Sequence, residues 1–166
     1  MAAPLAIVAT DMESRSEVVF TSGRLHEPML ASMAIPVIFP PVLINGRRLV
    51  DGAVMTPIPI RQVAELGADV VIAIKLTSPT APAREKPRRF SIGMPPVLDS
   101  IMRVFDTMQW RISAVEETPA DITIEPVFEG PTGLRDHVRA PEFIVAGEEA
   151  TYAARPALAD ALPWVD

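Results

Sequence analysis

The stretch "VLINGRRLVDGAVMTPIP", residues 42–59, carries the clearest local signal of structure in the chain. Asn45 and Gly46 stand between two apolar arms, and both residue types tolerate the left-handed backbone that a type I′ turn requires. The pattern therefore predicts a tight β-hairpin over residues 42–50. The hairpin in turn places residue 51 just past the end of its second strand.

Asp51 is the one carboxylate in this stretch, and two small residues, Gly52 and Ala53, follow it. One interpretation is an Asp-Gly turn after a hairpin, which is a common arrangement. The other is a catalytic base, because a carboxylate fixed by its backbone beside small residues leaves room for a hydroxyl group that gives up its proton. These few residues alone leave both interpretations open and favour the turn.

The rest of the chain alternates apolar strands with helical patterns, which predicts the α/β class. The predicted elements are strands at 4–12, 17–23, 42–50, 68–76 and 120–127, and helices at 26–34, 59–67, 97–118 and 141–162. The continuous apolar runs at 4–12 and 68–76 predict strands buried on both faces. The segment 77–96 contains five prolines and is predicted to be a loop within a single domain of residues 1–166.

Two of the predicted helices carry further signals. The helix at 97–118 has apolar residues at helical spacing, which predicts packing against the core: Val97, Ile101, Val104, Phe105, Met108, Ile112 and Val115. Pro156 is expected to kink or end the helix at 141–162.

Composition limits the classes of partner. The net charge of −6 argues against nucleic acid, because phosphate binding needs a basic surface. The absence of cysteine excludes a disulfide and a thiolate nucleophile, and it is compatible with the cytoplasm. No apolar run approaches the roughly 20 residues that span a bilayer, so any membrane contact is expected to be peripheral. The mean hydropathy of +0.26 predicts an apolar face that meets lipid or further protein.

The common catalytic and cofactor motifs are missing from residues 1–166. There is no G-x-G-x-x-G, P-loop or H-E-x-x-H, and His26 and His137 stand far apart, so neither a cofactor nor a metal is predicted. None of the serines lies in G-x-S-x-G. Ser32 is predicted to pack a helix against the sheet, and Asp11 to be a turn residue at a strand end.

Three blocks in order resemble the patatin-like phospholipase family: "ASMAIPVIFPP" (31–41), "LVDGAVMTPIP" (49–59) and "ELGADVVIAI" (65–74). Family members tend to read A-S-x-A-x-P-x-x-F-P-P, L-x-D-G-[GA], N-P-x-P and L-G-A-D-x-V-I. The resemblance is closest to bacterial and neuropathy-target-esterase-like members. It implies a three-layer α/β/α sandwich and hydrolysis of fatty acyl esters of phospholipids or lysophospholipids by a Ser-Asp dyad.

The same resemblance implies the roles of the site residues. Asp51 is the expected proton acceptor, and Gly52 and Ala53 complete its motif. The family's nucleophilic serine and its oxyanion-hole loop lie upstream of the block at 4–12, so neither is expected within this chain. We therefore expect the C-terminal half of a patatin-like domain, inactive alone, with an open sheet edge at 4–12.

The implied partners are a lipid substrate, the missing N-terminal half of the domain and a membrane surface, in the cytoplasm or at a membrane periphery. The alternative is a truncated, non-catalytic module that binds a partner. Two residues depart from the family pattern: Val37 stands where glycine is frequent, and Thr56 stands where asparagine is frequent.

Overall fold

The computed structural model of the chain describes residues 3–76, 96–115, 119–128 and 136–164. The strands are β1 (Ile7–Asp11), β2 (Ser16–Phe20), β3 (Val42–Ile44), β4 (Arg47–Asp51), β5 (Ile72–Ile74) and β6 (Ile122–Ile124). The α-helices are α1 (His26–Ser32), α2 (Ile60–Glu65), α3 (Pro96–Ala114) and α4 (Ala140–Ala161), with 3₁₀ turns at Gly52–Val54 and Asp136–Arg139. The mixture of strands and helices confirms the predicted α/β class.

The chain divides into two compact units. The first comprises Met1–Ala68 with Phe90–Glu117, and the second comprises Asp69–Arg89 with Thr118–Asp166. The predicted loop at 77–96 lies outside the described residues except for Pro96, which begins α3.

The sheet of the first unit has the strand order β2-β1-β4-β3, and every pair is antiparallel. The predicted hairpin is confirmed, since β3 and β4 are joined through Asn45 at φ 49° and Gly46 at φ 77°. The prediction of an open edge at 4–12 is wrong. Strand β1 lies in the middle of this sheet, because β2 folds back on one side of it through a tight turn and β4 pairs on the other.

The core of the first unit lies between this sheet and α1. Ala9, Ala31 and Leu49 are completely buried and form one apolar cluster with Ile44. Ala9 belongs to the central strand, Leu49 to the strand beside it, and Ala31 to the helix that covers them. Since alternate residues of a strand point to opposite faces, Val8 and Thr10 belong to the other face of β1, and both are also buried. Strand β1 is thus buried on both faces, as predicted.

Two burial predictions are wrong. Strand β5 is shorter than predicted, and it is buried on one face only, since Val71 and Ala73 are buried whereas Ile72 and Ile74 are exposed. Most of the predicted apolar stripe, on α3 and at the residue that follows it, is also exposed: Val97, Ile101, Val104, Met108 and Val115. A periodic apolar pattern identifies an amphipathic helix, but it does not supply the surface that covers the helix.

Helix α4 continues through Pro156, so this proline does not end it. At the start of the helix, Phe143 makes an edge-to-face contact with Phe128, at 4.9 Å between ring centroids. Arg139 lies over the ring of Phe143, 5.2 Å from its centroid. Among the described helices, none is long and apolar enough to cross a membrane.

Candidate active site

Asp51 is the last residue of β4, and its position is fixed by its own backbone. It pairs with Ala9 of the central strand, and its N–H donates to the carbonyl oxygen of Ala34 at 3.0 Å. Its side chain caps the 3₁₀ turn that follows, because Oδ1 accepts the N–H of Ala53 at 2.9 Å. The second carboxylate oxygen, Oδ2, has no hydrogen-bond partner among the described residues. One oxygen is therefore held while the other is available.

The electrostatic environment of Asp51 favours a proton acceptor. Partial burial raises the pKa of the Asp51 carboxyl above its ordinary value of 3.8, and the hydrogen bond from Ala53 only partly offsets this. A raised pKa makes a carboxylate a stronger base, as general-base chemistry requires. Among the described residues, no hydrogen bond joins a histidine to Asp51. His26 is exposed, and the side chain of His137 lies outside the described residues.

Gly52 permits the chain to turn against the central strand. A Cβ atom at this position would lie 2.5 Å from the carbonyl oxygen of Val8 and 2.8 Å from its carbonyl carbon. These distances are shorter than non-bonded atoms tolerate, so any side chain at this position would force the turn or strand β1 to shift. The small residue after Asp51 is thus required by the backbone of β1, which is a different reason from the room for a hydroxyl that the sequence suggested.

A cavity of about 370 Å³ opens beside Asp51. Its wall is mostly apolar and includes Met29, Ser32, Met33, Asp51, Ala53 and Pro57. Ser32 ends α1, is partly buried and lines the cavity, and its role in packing the helix against the sheet stays a prediction. The site therefore presents a carboxylate on the wall of an apolar recess.

The segment after the 3₁₀ turn is attached to strand β2. The hydroxyl group of Thr56 donates to Glu17, and the amide of Gln62 donates to the same carboxylate at 2.6 Å. Sequence reasoning missed this attachment. Thr56 and Glu17 are 39 residues apart, and no local pattern connects them.

The prediction that Asp11 is a turn residue at a strand end is confirmed. Its Oδ1 accepts the N–H of Glu13 at 2.9 Å, within the turn that joins β1 to β2. This hydrogen bond is the main reason that the pKa of Asp11 lies below its ordinary value. The two aspartates that end strands of this sheet thus differ, since Asp11 is buried and serves its turn whereas Asp51 is partly buried and also lines the cavity.

Val37 occupies a backbone conformation that suits glycine. Its φ is 74°, in the left-handed region. Val37 lies in the turn that follows Ala34, whose carbonyl oxygen accepts the N–H of Asp51. A β-branched residue is strained there. The frequent glycine of the family pattern thus has a physical reason in this structure.

We expect Val37→Gly to raise the free energy of unfolding by about 1 kcal/mol, since relief of left-handed strain exceeds the entropy cost of glycine. Little packing is lost, because Val37 is 51% exposed. Urea unfolding measures the change, and Val37→Ala, which keeps the strain, is the control. If the glycine substitution were no more stabilising than the alanine substitution, the assignment of strain would be contradicted.

Comparison with known proteins agrees with the site. The sequence profile of the patatin-like phospholipases matches residues 3–64. This range contains Asp51, Gly52 and Ala53. Residues 3–64 belong to the patatin-like phospholipase family. The family assignment and its neuropathy-target-esterase-like character are thus confirmed, and the partial match fits a partial domain.

The relatives that this chain matches are much longer. Uncharacterized NTE family proteins of Mycobacterium bovis and Mycobacterium tuberculosis are 39% identical over 83 residues, which is 49% of this chain and 23% of theirs. A lysophospholipase NTE1 of Phaeosphaeria nodorum is 38% identical over 66 residues, 40% of this chain and 4% of that protein. The matched part of the chain spans 23% of the length of its mycobacterial relatives.

Proposed function

We propose that this chain carries the general base of a lipid acyl hydrolase that uses a Ser-Asp dyad, and that Asp51 is this base. The observation that carries the proposal is the state of the Asp51 carboxylate. Oδ1 is held by the N–H of Ala53, whereas Oδ2 has no partner among the described residues, on the wall of an apolar cavity. Membership of the patatin-like family and the similarity to a lysophospholipase support a lipid ester as the substrate.

The reaction has two halves, acylation of the serine and hydrolysis of the acyl-serine, and Asp51 accepts and then donates a proton in each. The carboxylate accepts the proton of a serine hydroxyl group while the serine oxygen attacks the acyl carbonyl carbon. Asp51 then gives this proton to the departing alcohol, the lysophospholipid or glycerophosphoryl group, as its bond to the acyl carbon breaks. In the second half, Asp51 accepts a proton from water, the hydroxide attacks the acyl-serine, and the fatty acid leaves as the serine regains its proton.

The serine and the oxyanion donors are assigned to sequence outside these 166 residues. None of the serines of this chain lies in G-x-S-x-G, and the family resemblance implies that both groups lie upstream. The apolar wall that includes Met29 and Met33 suits a fatty acyl chain, since it withdraws methylene groups from water.

The test is release of fatty acid from lysophosphatidylcholine and phosphatidylcholine vesicles. We expect release when the chain is joined to an upstream segment that carries G-x-S-x-G, and none from either part alone. The control is the same joined protein with the serine of that motif changed to alanine. The non-catalytic alternative predicts that the two parts bind each other without release, and this result would overturn the proposal.

A further inference from the structure

Glu17 gathers donors from a single segment of the chain. Its carboxylate accepts the hydroxyl group of Thr56, the amide of Gln62 at 2.6 Å and the guanidinium group of Arg61 at 2.9 Å. The side chain of Glu17 is 16% exposed. Burying a carboxylate is unfavourable unless hydrogen bonds compensate, so this arrangement is a specific one.

Glu17 and Asp51 lie on opposite faces of the sheet. Glu17 stands opposite Thr10 of the central strand, whereas Asp51 stands opposite Ala9. Residues directly opposite each other share a face, and neighbouring residues of one strand point to opposite faces. The segment that leaves Asp51 therefore passes from one face of the sheet to the other before it reaches Glu17.

That segment is a short hydrogen-bonded turn. The N–H groups of Met55 and Thr56 both donate to the carbonyl oxygen of Gly52, at 3.0 and 2.8 Å. At its start, the N–H of Ala53 holds Oδ1 of Asp51. At its end, the hydroxyl group of Thr56 binds Glu17. A single turn thus joins the two carboxylates.

We propose that Glu17 is a positioning residue for Asp51, which anchors the turn of residues 52–56 and so holds the N–H of Ala53 on the Asp51 carboxylate. The inference rests on the proposed function, in which Asp51 is the base. It also gives Thr56 a role that an asparagine would fill differently. A threonine hydroxyl group donates one hydrogen bond, and the partly buried carboxylate of Glu17 supplies the acceptor.

The charge of Glu17 suits this role. Burial opposes ionisation, but the hydrogen bonds from Thr56 and Gln62 and the charge of Arg61 outweigh it, so the pKa of Glu17 lies below its ordinary value of 4.5. Within the described residues, the buried hydroxyl group of Thr10 directly opposite has no hydrogen-bond partner. Thr10 therefore donates no hydrogen bond to Glu17, and the carboxylate of Glu17 accepts its hydrogen bonds from residues 56–62.

The test is Glu17→Gln in the 166-residue chain, followed by NMR. An amide group cannot accept all the hydrogen bonds that the carboxylate accepts, so we expect the turn to loosen. Hydrogen exchange of the Met55 and Thr56 amides should accelerate at least about tenfold, while the amides of Val8 and Thr10 stay protected. The carbon-13 titration of Asp51 should move to higher pH, because the hydrogen bond from Ala53 that stabilises its charge is weakened.

The matched control is Glu13→Gln, which removes the negative charge of an exposed ion pair with Arg48 and should change neither readout. Thr56→Val removes only the hydroxyl group that donates to Glu17, and it replaces Glu17→Gln in the test if Glu17→Gln does not fold. It should reproduce both effects, and the double variant should be no worse than the single one.

Two outcomes would overturn the proposal. One is a folded Glu17→Gln or Thr56→Val variant with unchanged turn exchange and Asp51 titration, and the other is uniform acceleration across all amides. Neither readout needs catalysis. Absence of fatty acid release from the joined protein would therefore contradict the proposed function without changing the result on Glu17.

Discussion

In the joined protein, in which this chain follows an upstream segment that carries G-x-S-x-G, Asp51→Asn should lower kcat at least about 10³-fold. This loss is within the range that removal of a general base produces. The oxygen of asparagine can still accept the N–H of Ala53, so the turn keeps its geometry. The nitrogen that replaces Oδ2 has no lone pair to accept a proton. Initial rates of fatty acid release at saturating lipid measure the effect, and a variant that keeps more than about a tenth of the rate would contradict the role of base.

The same substitution should stabilise the chain at neutral pH. Since the pKa of Asp51 is raised in the folded state, ionisation is easier in the unfolded chain, and it costs stability above the ordinary value of 3.8. Asparagine carries no charge and avoids this cost. The melting temperature of the variant should therefore exceed that of the parent at pH 7, and the difference should disappear at about pH 3, where both states of the parent are protonated.

Asp11→Asn is the matched control, because Asp11 also ends a strand of the same sheet and is buried. Its pKa is lowered, chiefly by the N–H of Glu13, so its charge adds stability above 3.8 that is lost as the pH falls through the lower value in the folded state. The variant should lose stability at pH 7 and keep its activity. Equal activity losses in both variants would indicate general damage to the sheet.

The local features of the site were predictable from the sequence. Asn45-Gly46 specifies its turn within two residues, and the β-hairpin then fixes where Asp51 stands. The pairing of β4 with the central strand was not predictable, because Asp51 and Ala9 are 42 residues apart in the sequence, and an apolar run does not identify its neighbours. The same limit explains why the link from Glu17 to Thr56 was missed.

Burial was predicted less well than position. The runs at 4–12 and 68–76 look alike in sequence, yet β1 is buried on both faces whereas Ile72 and Ile74 of β5 are exposed. The apolar stripe of α3 shows the same limit. The hydrophobic pattern identifies which face of a segment can be buried. Whether that face is buried depends on the other elements that pack against it.

Gly52→Ala should destabilise the chain by about 3 kcal/mol, at the upper end for overpacking. The added Cβ would lie 2.5 Å from the carbonyl oxygen of Val8, a backbone atom of the central strand that cannot rotate away. Relief requires the turn or β1 to move, and β1 is paired on both sides. Urea unfolding of the 166-residue chain measures the loss.

Gly147→Ala provides the control for this substitution. Nothing lies within 4 Å of a Cβ at that position, and the residue lies within α4. Alanine is favoured over glycine in a helix, so this variant should gain up to about 1 kcal/mol. The two substitutions add the same methyl group with opposite results. A change of less than about 0.5 kcal/mol for Gly52→Ala, the size expected at an unconstrained surface site, would show that the turn is not pressed against β1. It would also remove the physical reason why a glycine must follow the proposed catalytic aspartate.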